Sequence, residues 1–135
     1  MADAVATQTI QDGARKAIFR FTNVSDGSGE AAVKKIDVSA LTTDPVSGAS
    51  CSKVTIEKIW YTTIGMGVKI FFDASTDVLA WQLNADYADT LDFGEFNGIP
   101  NNAGSGVTGD IMFTTVGHSS GDVYNICISV IKHYG

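Results

Sequence analysis

Val54-Thr55-Ile56-Glu57-Lys58-Ile59-Trp60-Tyr61-Thr62-Thr63 is the stretch that decides the fold. Its side chains alternate between two faces with the two-residue period of a β-strand, and aromatic residues stand on both faces near its end. The glycine-rich segment 64–67 follows, after which Val68, Ile70 and Phe72 resume the alternation. We therefore predict a β-hairpin over residues 54–73, and a third strand over residues 78–83 that continues it as an antiparallel meander.

The composition agrees with a fold made of strands. Among the 135 residues are 12 valines, 12 isoleucines and 13 threonines, whereas leucine occurs only four times. Stiff β-branched side chains suit a pleated sheet better than a helix. The length, together with an apolar content of 44%, predicts one domain with its own core.

Turn-forming segments divide the rest of the chain into further strand candidates. In the third strand we expect Leu79, Trp81 and Leu83 to be buried. The run 122–132 is apolar on both faces, so we expect it to be a central strand. About eight strands without an internal repeat predict an all-β fold, a single antiparallel β-sandwich that is jelly-roll-like and has little helix. The other candidates lie at residues 17–21, 36–41, 90–93 and 111–115.

Two segments favour contact with a partner. Residues 1–14 show no periodicity strong enough to define an element, so we assign them as an N-terminal contact arm and residues 15–135 as the sandwich domain. Polar termini are disordered unless something holds them, and we expect a partner surface or a sister subunit to hold this arm. Residues 97–109 form a loop with four glycines and three asparagines, and a loop of that length is usually either functional or an excursion at the edge of a sheet.

The charge distribution excludes several partners. Fifteen acidic and nine basic residues give a net charge of −6, and Lys132 is the one basic residue beyond residue 70. Such a chain lacks the positive footprint that binds nucleic acid or an anionic membrane. No apolar run is long enough to span a bilayer, and Met1-Ala2-Asp3-Ala4 does not resemble an export signal. We expect Cys51 and Cys127 to stay reduced.

One motif suggests a hydrolase. Gly117-His118-Ser119-Ser120-Gly121 matches the nucleophile-elbow pattern, in which the serine stands between a strand and a helix. The triad would have to be Ser119, Asp122 and His133. Because the segment after the motif is rich in β-branched residues, we interpret it instead as a hairpin turn.

Acidic residues suggest metal or sugar chemistry, and the spacing argues against both. Asp73, Ser75 and Asp77 begin like a calcium loop, but its glycine and its final glutamate are absent. Neither histidine has a partner at zinc-ligand spacing. Glu57 and Asp73 would face each other in the hairpin as a carboxylate dyad, although no sugar cleft accompanies them. We expect a solvated edge at Asp86, Asp89, Asp92 and Glu95. We predict no catalytic residue, no metal, no cofactor and no enzymatic activity.

Short segments along the whole chain resemble small virion structural proteins of tailed bacteriophages that infect marine bacteria and cyanobacteria. Most of these segments are turns, and they are residues 9–13 with 15–17, 21–30, 35–41, 66–68, 77–81, 98–102 and 113–118. The resemblance implies a capsid decoration (cement) protein with a jelly-roll-like sandwich that forms trimers on the head. Its partner would be the major capsid protein, and its location the outer capsid surface after synthesis in the host cytoplasm.

Candidate contact residues follow from that role. They lie in the arm, in the acidic and aromatic segment, and in the long loop: Thr7, Thr9, Ile10, Gln11, Tyr87, Phe96, Asn101 and Asn102. Two alternatives remain open. A carbohydrate-binding module would use Trp60, Tyr61 or Tyr87, whereas a tail or neck subunit would differ from a decoration protein in copy number.

Overall fold

The computed structural model describes residues 4–134, without the side chain of Phe96. Its regular secondary structure is almost entirely β-strand, as the sequence predicts. Two short 3-10 helices, Val38–Ala40 and Gly94–Phe96, interrupt the loops. The nine strands are β1 (Ala4–Asp12), β2 (Lys16–Val24), β3 (Val33–Ile36), β4 (Cys51–Ile64), β5 (Gly67–Phe72), β6 (Val78–Leu83), β7 (Ala88–Asp92), β8 (Ile111–Val116) and β9 (Val123–Tyr134).

The strands form two antiparallel sheets with the topology of a jelly roll. The five-stranded sheet has the order β1-β2-β9-β4-β7, and the four-stranded sheet has the order β3-β8-β5-β6. Strands β2 to β9 form one antiparallel ribbon, in which β2 pairs with β9, β3 with β8, β4 with β7 and β5 with β6. Wrapping this ribbon places β9 beside β4 and β8 beside β5, which closes a double-sheet jelly roll. Strand β1 is an addition at one edge.

The core lies between the sheets and is filled mainly by alternate residues of the strands of the jelly roll, without a contribution from β1. The rings of Phe21 and Phe113, which come from opposite sheets, meet edge to face with centroids 5.2 Å apart. Tyr124 packs against Phe113 at 5.9 Å. Strand β9 is the middle strand of the five-stranded sheet, which confirms its prediction as a central strand. Cys51 and Cys127 are both free thiols.

The predicted hairpin over residues 54–73 is wrong. Both segments are strands, but β4 and β5 belong to different sheets. Because β9 and β7 already pair with the two edges of β4, no edge is left for β5. The chain crosses between the sheets at Gly65, whose φ is +82°, and the next residue, Met66, is buried. The segment around Ser119 likewise joins β8 and β9 of different sheets instead of forming a hairpin turn.

Two of the three residues expected to be buried in β6 are exposed. Leu83 is fully buried, whereas Leu79 is 47% exposed and Trp81 is 40% exposed. The register against β5 shifts at this point, so that Ala80 is an extra residue and Leu79 turns to the outer face. Strand β6 is an edge strand, and Trp81 lies at the rim of the core against Phe93, with ring centroids 5.0 Å apart.

The arm also differs from the prediction. Residues 4–12 form strand β1, which pairs antiparallel with β2 of the same chain. Residues Ala4 to Gln11 are exposed on both faces. The alternation that identifies a strand needs one buried face, and β1 has none.

Neither 3-10 helix among residues 4–134 has the length or apolar character needed to cross a bilayer.

Candidate interaction surface

An area without charged residues lies at one end of the outer face of the five-stranded sheet. Paired residues on neighbouring strands share a face, so the register defines two outward rows across the sheet. Within these rows Val24 is 50% exposed and Ile64 58% exposed. We call this area the uncharged face. It consists of Ala4, Val24, Val123 and Ile64 in one row, and Ala6, Thr22, Asn125, Thr62 and Ala88 in the other.

A shallow groove overlaps the second row of the uncharged face. It has a volume of about 510 Å³ and is lined by Trp60, Thr62, Asn125 and Cys127 together with residues of β7. The ammonium group of Lys58 lies 5.1 Å from the centroid of the Trp60 ring. This cation covers part of the aromatic surface that the groove would otherwise offer.

Strand β1 continues the same sheet to a free edge. Its register with β2 places Thr7 and Thr9 on the core side of the sheet, although no strand of the other sheet covers them. Ile10 is the extra residue of a bulge, and it is 52% exposed. Gln11 returns to the outer face. Within residues 4–134, the edge of β1 that faces away from β2 meets no other strand.

A buried ion pair fixes the end of β1 to the last strand. Lys132 Nζ donates to Asp12 Oδ1 at 2.6 Å, to the Gly13 carbonyl at 2.8 Å and to Thr42 Oγ1 at 2.8 Å. Burial alone would raise the pKa of the Asp12 carboxyl, but the hydrogen bonds from Lys132 and Thr42 outweigh it, and the pKa lies below its usual value. Burial would lower the pKa of Lys132, but the hydrogen bonds and charge interactions with Asp12 and Tyr134 together outweigh burial, and the pKa is raised.

A second buried network fixes the loop between β2 and β3. Lys35 and Glu30 form an ion pair at 2.6 Å, with both side chains almost fully buried. The Tyr124 hydroxyl donates to Glu30 Oε1 at 2.5 Å, and the Asn23 amide donates to the same oxygen at 3.0 Å. Lys35 neutralises the Glu30 carboxylate, and the donors from Tyr124 and Asn23 take the place of water. The network therefore holds this end of the sandwich rigidly.

The structure divides the predicted contact residues between two opposite edges of the five-stranded sheet. Four of them, Thr7, Thr9, Ile10 and Gln11, lie on β1. Tyr87 lies at the β7 edge, where it is 51% exposed and forms a shallow surface with Ile64 and Ala88 of the uncharged face. Four strand spacings of about 4.8 Å separate the two edges by about 19 Å.

The loop residues extend the β7 edge. Ile99 forms an isolated bridge with Ile56 of β4, which places the start of the long loop beside the same sheet. Asn101 is half-buried and accepts a hydrogen bond from the Ala103 amide at 2.9 Å, and Asn102 is exposed. Phe96 lies in the second 3-10 helix, and its side chain is outside the described residues.

Ser119, Asp122 and His133 do not form a hydrolase triad. Strand β9, not a helix, follows Ser119, whose amide donates to Asp122 Oδ2 at 2.7 Å. His133 lies near the far end of β9, about 35 Å along the strand from Asp122, and its Nε2 hydrogen bonds with Thr55 Oγ1 at 2.7 Å. His118 is likewise engaged, through Nδ1, with Thr115 Oγ1 at 3.1 Å.

The acidic residues organise turns. Asp73 accepts a hydrogen bond from Thr108, Asp86 from the Gly65 amide and Asp92 from the Gly94 amide. Within residues 4–134, no group of three or more metal-ligating side chains is close enough to hold an ion. Glu57 and Asp73 lie in separate parts of the sandwich because β4 and β5 do not pair, and Glu57 binds Lys16 at 3.0 Å.

The aromatic residues do not form a common plane. Trp60 faces outward from β4, whereas Tyr61 faces the core and is 7% exposed. The rings of Tyr61 and Tyr87 are inclined at 36° with centroids 6.4 Å apart. A sugar platform of the kind considered above would need two or three coplanar exposed rings.

Sequence reasoning missed the uncharged face because its residues come from five strands. Each contributing stretch, such as Thr62 and Ile64 or Val123 and Asn125, is ordinary in a strand, and only the register unites them. The available signal was the absence of charge at one end of three strands, at Thr22 and Val24 of β2, Thr62 and Ile64 of β4, and Val123 and Asn125 of β9. No family model matches the chain, and a search of curated proteins finds no match.

Proposed function

We propose that the chain is a non-enzymatic structural protein of a tailed-bacteriophage virion, and specifically a decoration protein that binds the outer surface of the head. The observation that supports this proposal best is the uncharged face, a broad contact area on a chain of net charge −6. Charge depletion in the middle of a surface patch is typical of protein interfaces. The resemblance of the turn segments to small virion proteins supports the virion as the setting.

The proposed assembly is a trimer that bridges neighbouring major capsid subunits at three-fold or quasi-three-fold positions. A ring of three requires two different surfaces on each subunit, in addition to any contact through the free edge of β1. Three linked contacts release slowly, because a subunit that detaches stays at a high effective concentration. Since the trimer binds the mature lattice preferentially, it shifts the shell toward that state by mass action.

The decisive experiment uses phage particles made with and without this protein. Complete particles are expected to resist heating, osmotic shock and chelators better than particles that lack it, because the trimers hold adjacent capsid subunits together. Equal survival of the two preparations would contradict a cement role. Copy number then separates the remaining virion positions, with hundreds of copies expected for decoration and six or twelve for a tail or neck ring.

Variants locate the docking surface. Val24→Lys together with Ile64→Lys places two charges on the uncharged face and is expected to abolish rebinding of the purified protein to stripped particles. Thr114→Lys together with Lys69→Gln alters the outer face of the four-stranded sheet and is the control, with rebinding unchanged. Loss of rebinding in the control alone would place the capsid contact on the opposite sheet.

The alternative of a carbohydrate-binding module has one feature in its favour, the groove beside Trp60. A glycan ligand would stack on the indole and displace Lys58 from it. Glycan binding that Trp60→Ala abolishes, together with intact particles in the absence of the protein, would favour this function over decoration.

A further inference from the structure

Four strands lie at the edges of the two sheets within residues 4–134, and three of them are protected. Strand β3 has four residues, two of which are Lys34 and Lys35. Strand β6 is interrupted by the bulge at Ala80, and the five residues of β7 include Asp89 and Asp92. Short length, charges and bulges are the devices by which soluble proteins keep exposed edges from pairing with other chains.

Strand β1 lacks these devices along most of its length. Its nine residues form the longest of the four edge strands. Residues 4–11 contain no charge, no proline and no glycine. The pairing with β2 is regular from Ala4 to Thr9, and the single bulge comes only at Ile10. The backbone groups on its free edge therefore form a regular template for a further strand.

We propose that β1 pairs with β1 of a second copy of this chain, antiparallel across a two-fold axis. The second strand must itself present an unprotected edge, and among residues 4–134 the edge that does so is β1. Because each copy carries a net charge of −6, an uncharged edge also gives two copies their least repulsive approach. The contact is separate from the proposed trimer and does not depend on it.

The alternation of side chains restricts the register. A two-fold axis perpendicular to the sheet places the outer faces of the two copies on the same side. Each residue of β1 must therefore pair with a residue of the other β1 whose side chain lies on the same face. Ala4, Ala6 and Gln8 face outward and Val5, Thr7 and Thr9 face the core side. The axis therefore passes near Ala6 or Thr7 in the regular part of the strand. Pairing would also join the uncharged faces of the two copies into one surface.

The test compares the full-length protein with the variant Ala6→Lys/Thr7→Lys, in which either register brings like charges together. The matched control is Leu79→Lys/Gln82→Lys, which adds the same charge to the exposed edge strand β6. By sedimentation velocity, the native protein and the control are expected to have at least twice the mass of the β1 variant. Circular dichroism should show the same fold in all three, since the substituted side chains are exposed.

Hydrogen exchange tests whether the two copies pair through backbone hydrogen bonds of β1. Backbone amides of β1 that point away from β2 are expected to become protected as the native protein associates, and to exchange rapidly in the β1 variant. Equal masses for the native protein and the β1 variant would overturn the proposal. So would association in which these amides remain unprotected, because the copies would then meet at another surface. Neither result bears on capsid binding, which the particle experiment tests separately.

Discussion

Glu30 and Lys35 show how much one buried pair governs the end of the sandwich. Each charge is withdrawn from water, and each is stabilised by the other at 2.6 Å. Glu30 also accepts hydrogen bonds from Tyr124 and Asn23. In such a network the loss of one partner leaves the other charge buried, which costs more than the loss of both.

The first prediction is a double-mutant cycle at this pair. Glu30→Leu and Lys35→Met are each expected to lower the free energy of unfolding by about 3 kcal/mol, because each leaves an isolated buried charge. The double variant should lose less than the sum of the two, and the difference measures their coupling. The measurement is urea unfolding followed by Trp fluorescence. Additive losses would show that the two charges do not stabilise each other.

The second prediction concerns Asp12 and pH. The pKa of Asp12 is lowered in the folded protein. Its contribution to the free energy of unfolding is therefore complete above the ordinary pKa of 3.8, and it is lost as the pH falls through the lowered pKa. Asp12→Asn leaves the buried Lys132 without its counter-ion and is expected to cost about 2–3 kcal/mol at neutral pH.

The difference between the native protein and the variant should shrink as the pH falls below about 4, because Asp12 itself becomes protonated there. Urea titrations at a series of pH values measure this difference. The control is Asp89→Asn, which alters an exposed carboxylate. A difference that stays constant down to pH 2 would show that the carboxylate charge is not what stabilises Lys132.

At the scale of elements, the long loop is joined to β4 by a close backbone approach. Gly109 has a φ of +88°, and a Cβ atom there would overlap the backbone oxygen of Ser52. Gly121 has nearly the same conformation, with a φ of +92°, and a Cβ atom there would meet nothing within 4 Å. Alanine substitutions at these two positions therefore separate the free-energy cost of a left-handed backbone from the cost of steric overlap with Ser52.

The third prediction follows from this comparison. Gly121→Ala is expected to cost about 1 kcal/mol, the strain of a left-handed backbone for alanine. Gly109→Ala should cost at least about 2 kcal/mol more, because the Ser52 carbonyl belongs to the backbone of β4 and cannot move aside easily. Thermal unfolding of the two variants measures the difference. Equal losses would mean that the loop can shift away from β4 at little cost.

The elements also show which parts of the fold the sequence can predict. Alternation identifies β2, β4 and β5, and a run that is apolar on both faces identifies β9, since each of these strands has at least one face in the core. It does not identify partners, which is why β4 and β5 were paired wrongly although both were recognised. Strand β1 escapes the same signal because both of its faces are exposed. The contact residues in the arm and loop could be chosen from composition, whereas the uncharged face requires the register of five strands.

At the scale of the whole molecule, β1 is outside the unit that the topology closes. Strands β2 to β9 complete the jelly roll by themselves, and β1 adds backbone hydrogen bonds to β2. Between Ala4 and Gln11 it contributes no buried side chain. Its firm attachment comes afterwards, where Asp12 meets Lys132 and the Tyr134 hydroxyl donates to the Ala14 carbonyl.

The last prediction is that the protein folds without β1 as long as Asp12 is kept. A variant that begins at Asp12 is expected to unfold in one cooperative transition, with a loss of about 1–3 kcal/mol from the hydrogen bonds to β2. A variant that begins at Lys16 also loses the counter-ion of the buried Lys132, so it should be less stable by a further 2–3 kcal/mol or so. Urea unfolding of the two variants beside the full chain measures both steps. If the variant that begins at Asp12 were unfolded, β1 would be part of the cooperative core, and its exposed free edge would have to be explained by folding instead of by contact with a second copy.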